Sequence, residues 1–259
     1  MASDASALAD DEGAALLRWL QDGNLTQLGH IIHRRDGRHS GALGICRKSA
    51  KALLAPASYD RAFAWFDGGR GQAPLIVKSN LVSNVHRRVP LDLFIVPVLA
   101  KGKVAALSVH AGVWTSAALA TPPSQVPRMR AQLAGLAGKL AFEAKSHAGK
   151  SLTHALTALP HDILIGFGAE DLERVATSMM SLVDRPRPKL VLVRAPLERH
   201  LFAFVWLPRD SLSTAVRLQI QDMLTDAAEA PVLDWSLEVE GGNLALLRFV
   251  LDIRDGAAS

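Results

Sequence analysis

The stretch that decides the fold is 189–253, read as KLVLVR (189–194), LFAFVWL (201–207), TAVRLQIQDMLTDAA (214–228), WSLEVE (235–240) and LALLRFVLDI (244–253). The first two runs are apolar, rich in Val, Leu and Phe, and joined by a short connection, so they read as two strands. Pro208–Ser211 precedes a helix over 214–228, with Val216, Ile220, Met223 and Leu224 on one face. Residues 235–240 alternate as a half-buried strand, 241–243 (GGN) make a turn, and 244–253 form a last strand. The order is β-β-α-β-β. One four-stranded antiparallel sheet with a helix on a face would bury that pattern. The final strand is the best candidate edge for pairing with another chain.

Upstream of the break at Arg185–Pro186–Arg187–Pro188 the sequence turns helical. Helices are predicted over 125–139, 151–159 and 169–183, and the last has Glu170 and Asp171 at its positive end. A further break at Thr121–Pro122–Pro123 separates these from a strand-rich first part. There a helix over 14–20 is stopped by Gly23 and Asn24, and strands follow over 25–33, 42–46, 75–78, 82–86, 91–99 and 104–109. Asp36–Gly37 is a hairpin-type turn. Pro97 pushes the strand over 91–99 to an edge or a bulge. The fold class is α+β. The expected divisions are 1–122, a helical linker over 123–187, and 188–259.

Composition excludes several classes. Apolar residues are 49% and charged residues 21% of 259, the balance of an ordinary folded chain. With 29 Lys and Arg against 25 Asp and Glu, the net charge is only +4. The doublets Arg34–Arg35 and Arg87–Arg88 are too sparse for a nucleic-acid stripe, and a single Tyr offers little base stacking. The start (MASDASALADDEG) has no basic segment followed by an apolar one, and no apolar run is long enough for a membrane span, so a cytoplasmic chain is expected. The lone Cys46 permits no internal disulfide.

The chemical motifs are weak. Residues 144–151 (AKSHAGKS) fit a relaxed phosphate loop, but a helix precedes them where a strand is required. They read as a helix junction in which Gly149 closes one helix. Gly166–Phe167–Gly168 lacks the third glycine of a dinucleotide fingerprint and reads as a turn. The His residues show no metal-ligand spacing; His30 and His33 share a strand but point to opposite faces. No catalytic, cofactor or metal residues are expected. The most distinctive tract is Lys78–Ser79–Asn80 with Val85–His86–Arg87, polar groups crowded between apolar strands. Either it holds an anion or an interface, or Ser79, Asn80 and Asn84 satisfy turn backbone; the residues alone favour the latter.

The ordered series LLRWLQDGNLTQLGH (16–30), GALGICR (41–47), PLIVKSNLVSNVHRRVPLDLFIV (74–96), WTSAAL (114–119), SHAGKSLTHALTALPHDIL (146–164), RPRPKLVLVR (185–194) and FVWLPRDSLSTAVRLQIQDML (204–224) resembles the N-terminal region of the large bacterial NAD-dependent glutamate dehydrogenases. The resemblance implies a PAS-like domain, a helical connection and an ACT-like, ferredoxin-like domain. It implies a non-catalytic role in assembly and in response to amino-acid effectors. NAD would then be bound elsewhere in the parent enzyme, and the partners would be its catalytic portion or other subunits, with homo-oligomerisation through the ACT-like sheet. The alternative is a free-standing amino-acid-sensing or protein-interaction module. Lys78, Ser79, Asn80, His86 and Arg87 carry over as motif positions for a ligand or an interface. Family members often carry aromatic residues where this chain has Gln27 and His30, and a Tyr where it has Phe94; Leu81, Val82 and Asn84 have also drifted.

Overall fold

The computed structural model describes all residues except 9, 48–52, 70–72, 86–87, 144, 184, 240–242 and 255–259. The chain forms two compact units. The first comprises Met1–Gln132 and His161–Gly166; the second comprises Leu133–Pro160 and Phe167–Ser259. The helical segment after residue 126 therefore contributes to both.

In the first unit, helix α1 (Ala2–Ala7) leads into α2 (Asp11–Trp19). The Asp10 carboxylate caps α2 by accepting from the Glu12 amide, which satisfies an otherwise orphaned donor. The stop signal works as read: Gly23 takes φ +95 and Asn24 donates its side-chain amide to the Trp19 carbonyl at 2.8 Å. Glu12 reaches the far end of the unit, accepting from the Arg128 amide at 2.7 Å and from the Arg130 guanidinium at 2.7 Å.

Strands β1 (Leu25–Arg34) and β2 (His39–Gly44) form the hairpin over Asp36–Gly37. After α3 (Pro56–Asp67) come β3 (Leu75–Val82), β4 (Pro90–Ala100), β5 (Lys103–Trp114) and the short helix α4 (Ser116–Ala120). The sheet is five-stranded and antiparallel, in the order β2-β1-β5-β4-β3. One strand expectation needs correction. Val82 ends β3, and Ser83 then makes a local turn by accepting from the Val85 amide, so no strand runs over 83–85; residue 86 lies outside the described residues. Strand β4 is interior to the sheet, and Pro97 meets the expected edge or bulge locally. Pairing with β3 ends at Ile95, so at Pro97 only β5 is a neighbour, and a bulge follows between Val98 and Leu99.

The second unit contains α5 (Met129–Lys139) from Leu133 onward, then α6 (His147–Ala158) and α8 (Ala169–Val183); the short α7 (His161–Leu164) belongs to the first unit. Helix α6 starts earlier than predicted. Ser146 caps it, with Oγ accepting from the Gly149 amide at 3.0 Å, so Gly149 opens a helix rather than closing one. The Lys150 amide bonds back to the Ser146 carbonyl and is committed to the helix.

Strands β6 (Lys189–Arg194) and β7 (His200–Pro208), helix α9 (Thr214–Ala228), and strands β8 (Val232–Val239) and β9 (Leu244–Asp252) follow in the predicted β-β-α-β-β order. All pairings are antiparallel and the order is β6-β7-β9-β8. The last strand is thus no edge: β9 lies between β7 and β8 and is buried over nearly its whole length. Apolar residues on both sides of its pleat, interrupted by Arg248, mark a strand covered on both faces.

Alternation divides the core between those faces. Ala203, Val205, Leu207, Leu247, Phe249 and Leu251 pack against Val216, Ile220 and Leu224 of α9. On the other face, Phe202 and Phe204 meet Phe167, and the Trp206 indole N–H reaches Met179 Sδ of α8 at 3.1 Å. Phe249 is fully buried in the α9-side cluster. Phe249→Ala should destabilise this unit by about 3–5 kcal/mol, through lost transfer energy and a residual cavity. Chemical denaturation followed by tryptophan fluorescence measures it.

Candidate functional site

Lys78, Ser79 and Asn80 are consecutive on β3, whereas His86 and Arg87 lie outside the described residues. Lys78 is only 5% exposed. Its ammonium lies 2.7 Å from Asp92 Oδ1 and 2.5 Å from Asp162 Oδ2. Asp92 is its cross-strand partner on β4, and Asp162 comes from α7. Burial alone would favour the neutral amine, but the two carboxylates outweigh it and hold the Lys78 pKa above the ordinary lysine value. Ser79 is equally built in: its hydroxyl donates to the Leu53 carbonyl and accepts from the Leu81 amide, both at 3.1 Å. The structure therefore gives Lys78 and Ser79 internal partners, and adds two carboxylates that the sequence tract did not point to.

A second polar cluster spans β1, β5 and α1. His30 and His110 are direct cross-strand partners, and their rings stack at 4.6 Å between centroids. Asp4 Oδ2 is 2.6 Å from His110 Nε2 and 2.9 Å from Ser108 Oγ. Ser108 Oγ is in turn 2.9 Å from His30 Nε2. The outer ring nitrogens are also held: His30 Nδ1 lies 3.2 Å from the Gly41 carbonyl, and His110 Nδ1 lies 3.1 Å from Gln27 Nε2. Burial and the neighbouring His110 push the His30 pKa down. For Asp4, burial raises the pKa, but hydrogen bonds from His110 and Ser108 prevail and leave it below the ordinary value.

His33 sits on the opposite face of β1, as its spacing from His30 requires. It stacks on Tyr59 at 3.7 Å, with Nδ1 3.0 Å from His39 Nδ1, and burial and His39 depress its pKa. Chain spacing hides the first cluster, since Asp4 and His110 are 106 residues apart. Only the β1–β5 register could have revealed it.

The profile of the glutamate dehydrogenase helical motif 1 matches residues 126–185, and that of the glutamate dehydrogenase ACT2 domain matches residues 189–259. The chain is a relative of the N-terminal region of the large NAD-specific glutamate dehydrogenases. The enzyme of Pseudomonas aeruginosa is 26% identical over 257 residues, which cover 93% of this chain and 16% of that protein. The enzyme of Halomonas elongata is 27% identical over 140 residues, 54% of this chain and 9% of that protein. The chain thus spans a small fraction of these glutamate dehydrogenases. Among solved structures, the Erythrobacter litoralis blue-light activated histidine kinase aligns over 95% of this chain and 99% of its own, at TM-score 0.22 and 10% identity. No helix among the described residues is long and apolar enough to cross a membrane.

Two predictions follow from these clusters. Lys78→Met leaves Asp92 and Asp162 buried without their cation and should cost about 3–5 kcal/mol in urea denaturation. The histidines set an acid limit. A pKa lower folded than unfolded means that the unfolded chain binds more protons, so stability is full above the unfolded value of about 6.5 and falls as pH drops through it toward the folded values. Asp4, held below the ordinary carboxylate value, adds to this loss only at still lower pH. The melting temperature should fall between about pH 7 and pH 5, and the fall should be shallower in the His30→Gln, His33→Gln double variant.

Proposed function

We propose that this chain is a non-catalytic region that assembles with, and regulates, glutamate dehydrogenase chemistry carried out elsewhere. The parent reaction converts L-glutamate, NAD and water to 2-oxoglutarate, ammonia and NADH. The observation that carries this reading is the ordered pair of glutamate dehydrogenase matches, helical motif 1 followed by ACT2, with the antiparallel β-β-α-β-β unit under the second. Regulation would require an effector, an amino acid by the ACT resemblance, to bind one arrangement better than another.

The surface of the second unit supports an assembly role. Helix α9 covers the centre of its sheet face, β7 and β9, and reaches the β8 flank through Arg217, whose guanidinium lies 4.3 Å from the Trp235 ring centroid; the flanks stay partly exposed. Leu190 and Leu192 on β6 are 49% and 39% exposed, and Trp235, Leu237 and Val239 on β8 are 42–43% exposed. By register these side chains share the face that carries Val205, Ala203, Phe249, Leu247 and Ala245. Two apolar flanks on edge strands suit a partner sheet or subunit.

The isolated chain should form no NADH from glutamate and NAD, read at the NADH absorbance; glutamate-dependent turnover would overturn the reading. Light scattering should report a particle larger than one chain, reduced in mass by Leu190→Asp with Leu237→Asp. Co-purification with the catalytic portion of the enzyme distinguishes a true subunit region from a free-standing sensing module, which would retain amino-acid thermal shifts without that partner.

A further inference from the structure

The cluster of Asp4, His30 and His110 has a surplus of lone pairs. One carboxylate oxygen and two imidazole nitrogens, all within 4.8 Å of one another, converge beside the Ser108 hydroxyl. The Gly41 carbonyl can only accept, so it fixes the proton of His30 on Nδ1 and turns a bare Nε2 inward. His110 can donate Nε2–H to Asp4, and Ser108 has one proton to give, either to His30 or to Asp4. Whichever it chooses, one of the two 2.9 Å contacts at Ser108 Oγ is left between acceptors. The buried position, with His110 2% and Ser108 1% exposed, leaves little water to relieve this.

The support behind the ring atoms has the form a metal site needs. Histidines that bind metals through one nitrogen are oriented by a hydrogen bond at the other. His30 has the Gly41 carbonyl there, and His110 has the Gln27 side-chain amide, whose oxygen can be turned toward Nδ1 to take its proton. Both rings then present Nε2 to the same point. Two imidazole nitrogens and a carboxylate suit a borderline cation of the zinc class, with ligands at about 2.0–2.2 Å and a fourth position open to water or the Ser108 hydroxyl. We propose that Asp4, His30 and His110 form a binding site for a divalent transition metal ion, which fastens helix α1 to strands β1 and β5.

The test uses the full chain, stripped with a chelator and titrated with Zn2+ by calorimetry, with Co2+ as a visible-absorption reporter of nitrogen and oxygen ligands. One equivalent of Zn2+ should bind per chain and raise the melting temperature. His30→Gln, at a half-buried position, and Asp4→Asn should each weaken binding at least about tenfold, with circular dichroism showing the fold intact. His39→Gln, in the other histidine pair, should bind as the parent does. The proposal fails if the stripped chain takes up no Zn2+ at about 100 times the micromolar range expected of a three-ligand site. It also fails if folded His30→Gln binds Zn2+ and shifts the Co2+ spectrum as the parent does.

Discussion

A buried ammonium must be answered by charge wherever it sits, and Lys78 is answered twice. Its partners come from different parts of the chain: Asp92 is its neighbour across β3 and β4, while Asp162 arrives on α7 from within the helical segment. Such a pair is weak evidence of net stabilisation, since desolvation offsets much of the attraction. Its force lies in specificity. Any packing that brings Lys78 inside without both carboxylates leaves an uncompensated charge, so the geometry of this corner selects one arrangement of β3, β4 and α7. Asp162 lies in the 161–166 segment that rejoins the first unit, and Ser79, anchored to the Leu53 carbonyl, extends the same fixed point.

Much of the architecture was legible from the residues. Helix α9 begins one residue after Ser213, whose hydroxyl accepts from the Val216 amide, and α8 spans the predicted residues to the letter. The β-β-α-β-β order was read from alternation and turn residues alone. The errors have a common source. Strand order depends on pairing, which period-2 patterns do not encode, so β9 reads as an edge from its sequence although apolar residues on both of its faces signal a covered strand. Pro97, by contrast, reads correctly as an edge or a bulge: pairing with β3 stops at Ile95 and a bulge follows at Val98–Leu99.

The candidate sites show the same division. Lys78 stands out in the sequence as part of a polar tract, Lys78–Ser79–Asn80, set between apolar segments. Its partners do not, because Asp162 is 84 residues away. The histidine cluster left no local trace at all. His30 and His110 oppose each other through the β1–β5 register, and Asp4 comes from a short amino-terminal helix whose sequence, ASDASA, reads as polar and unremarkable.

The chain visits the first unit, leaves it at Leu133, returns for 161–166, and departs again. This threading has a genetic consequence. A single recombination crossover between residues 133 and 160 would join one parent's Lys78 and Asp92 to another parent's Asp162, and so would separate groups that must match. Swapping the amino-terminal unit between homologues therefore requires three junctions, with the six residues around α7 travelling alongside the rest. Regions of this type should be inherited as whole blocks rather than shuffled as independent modules.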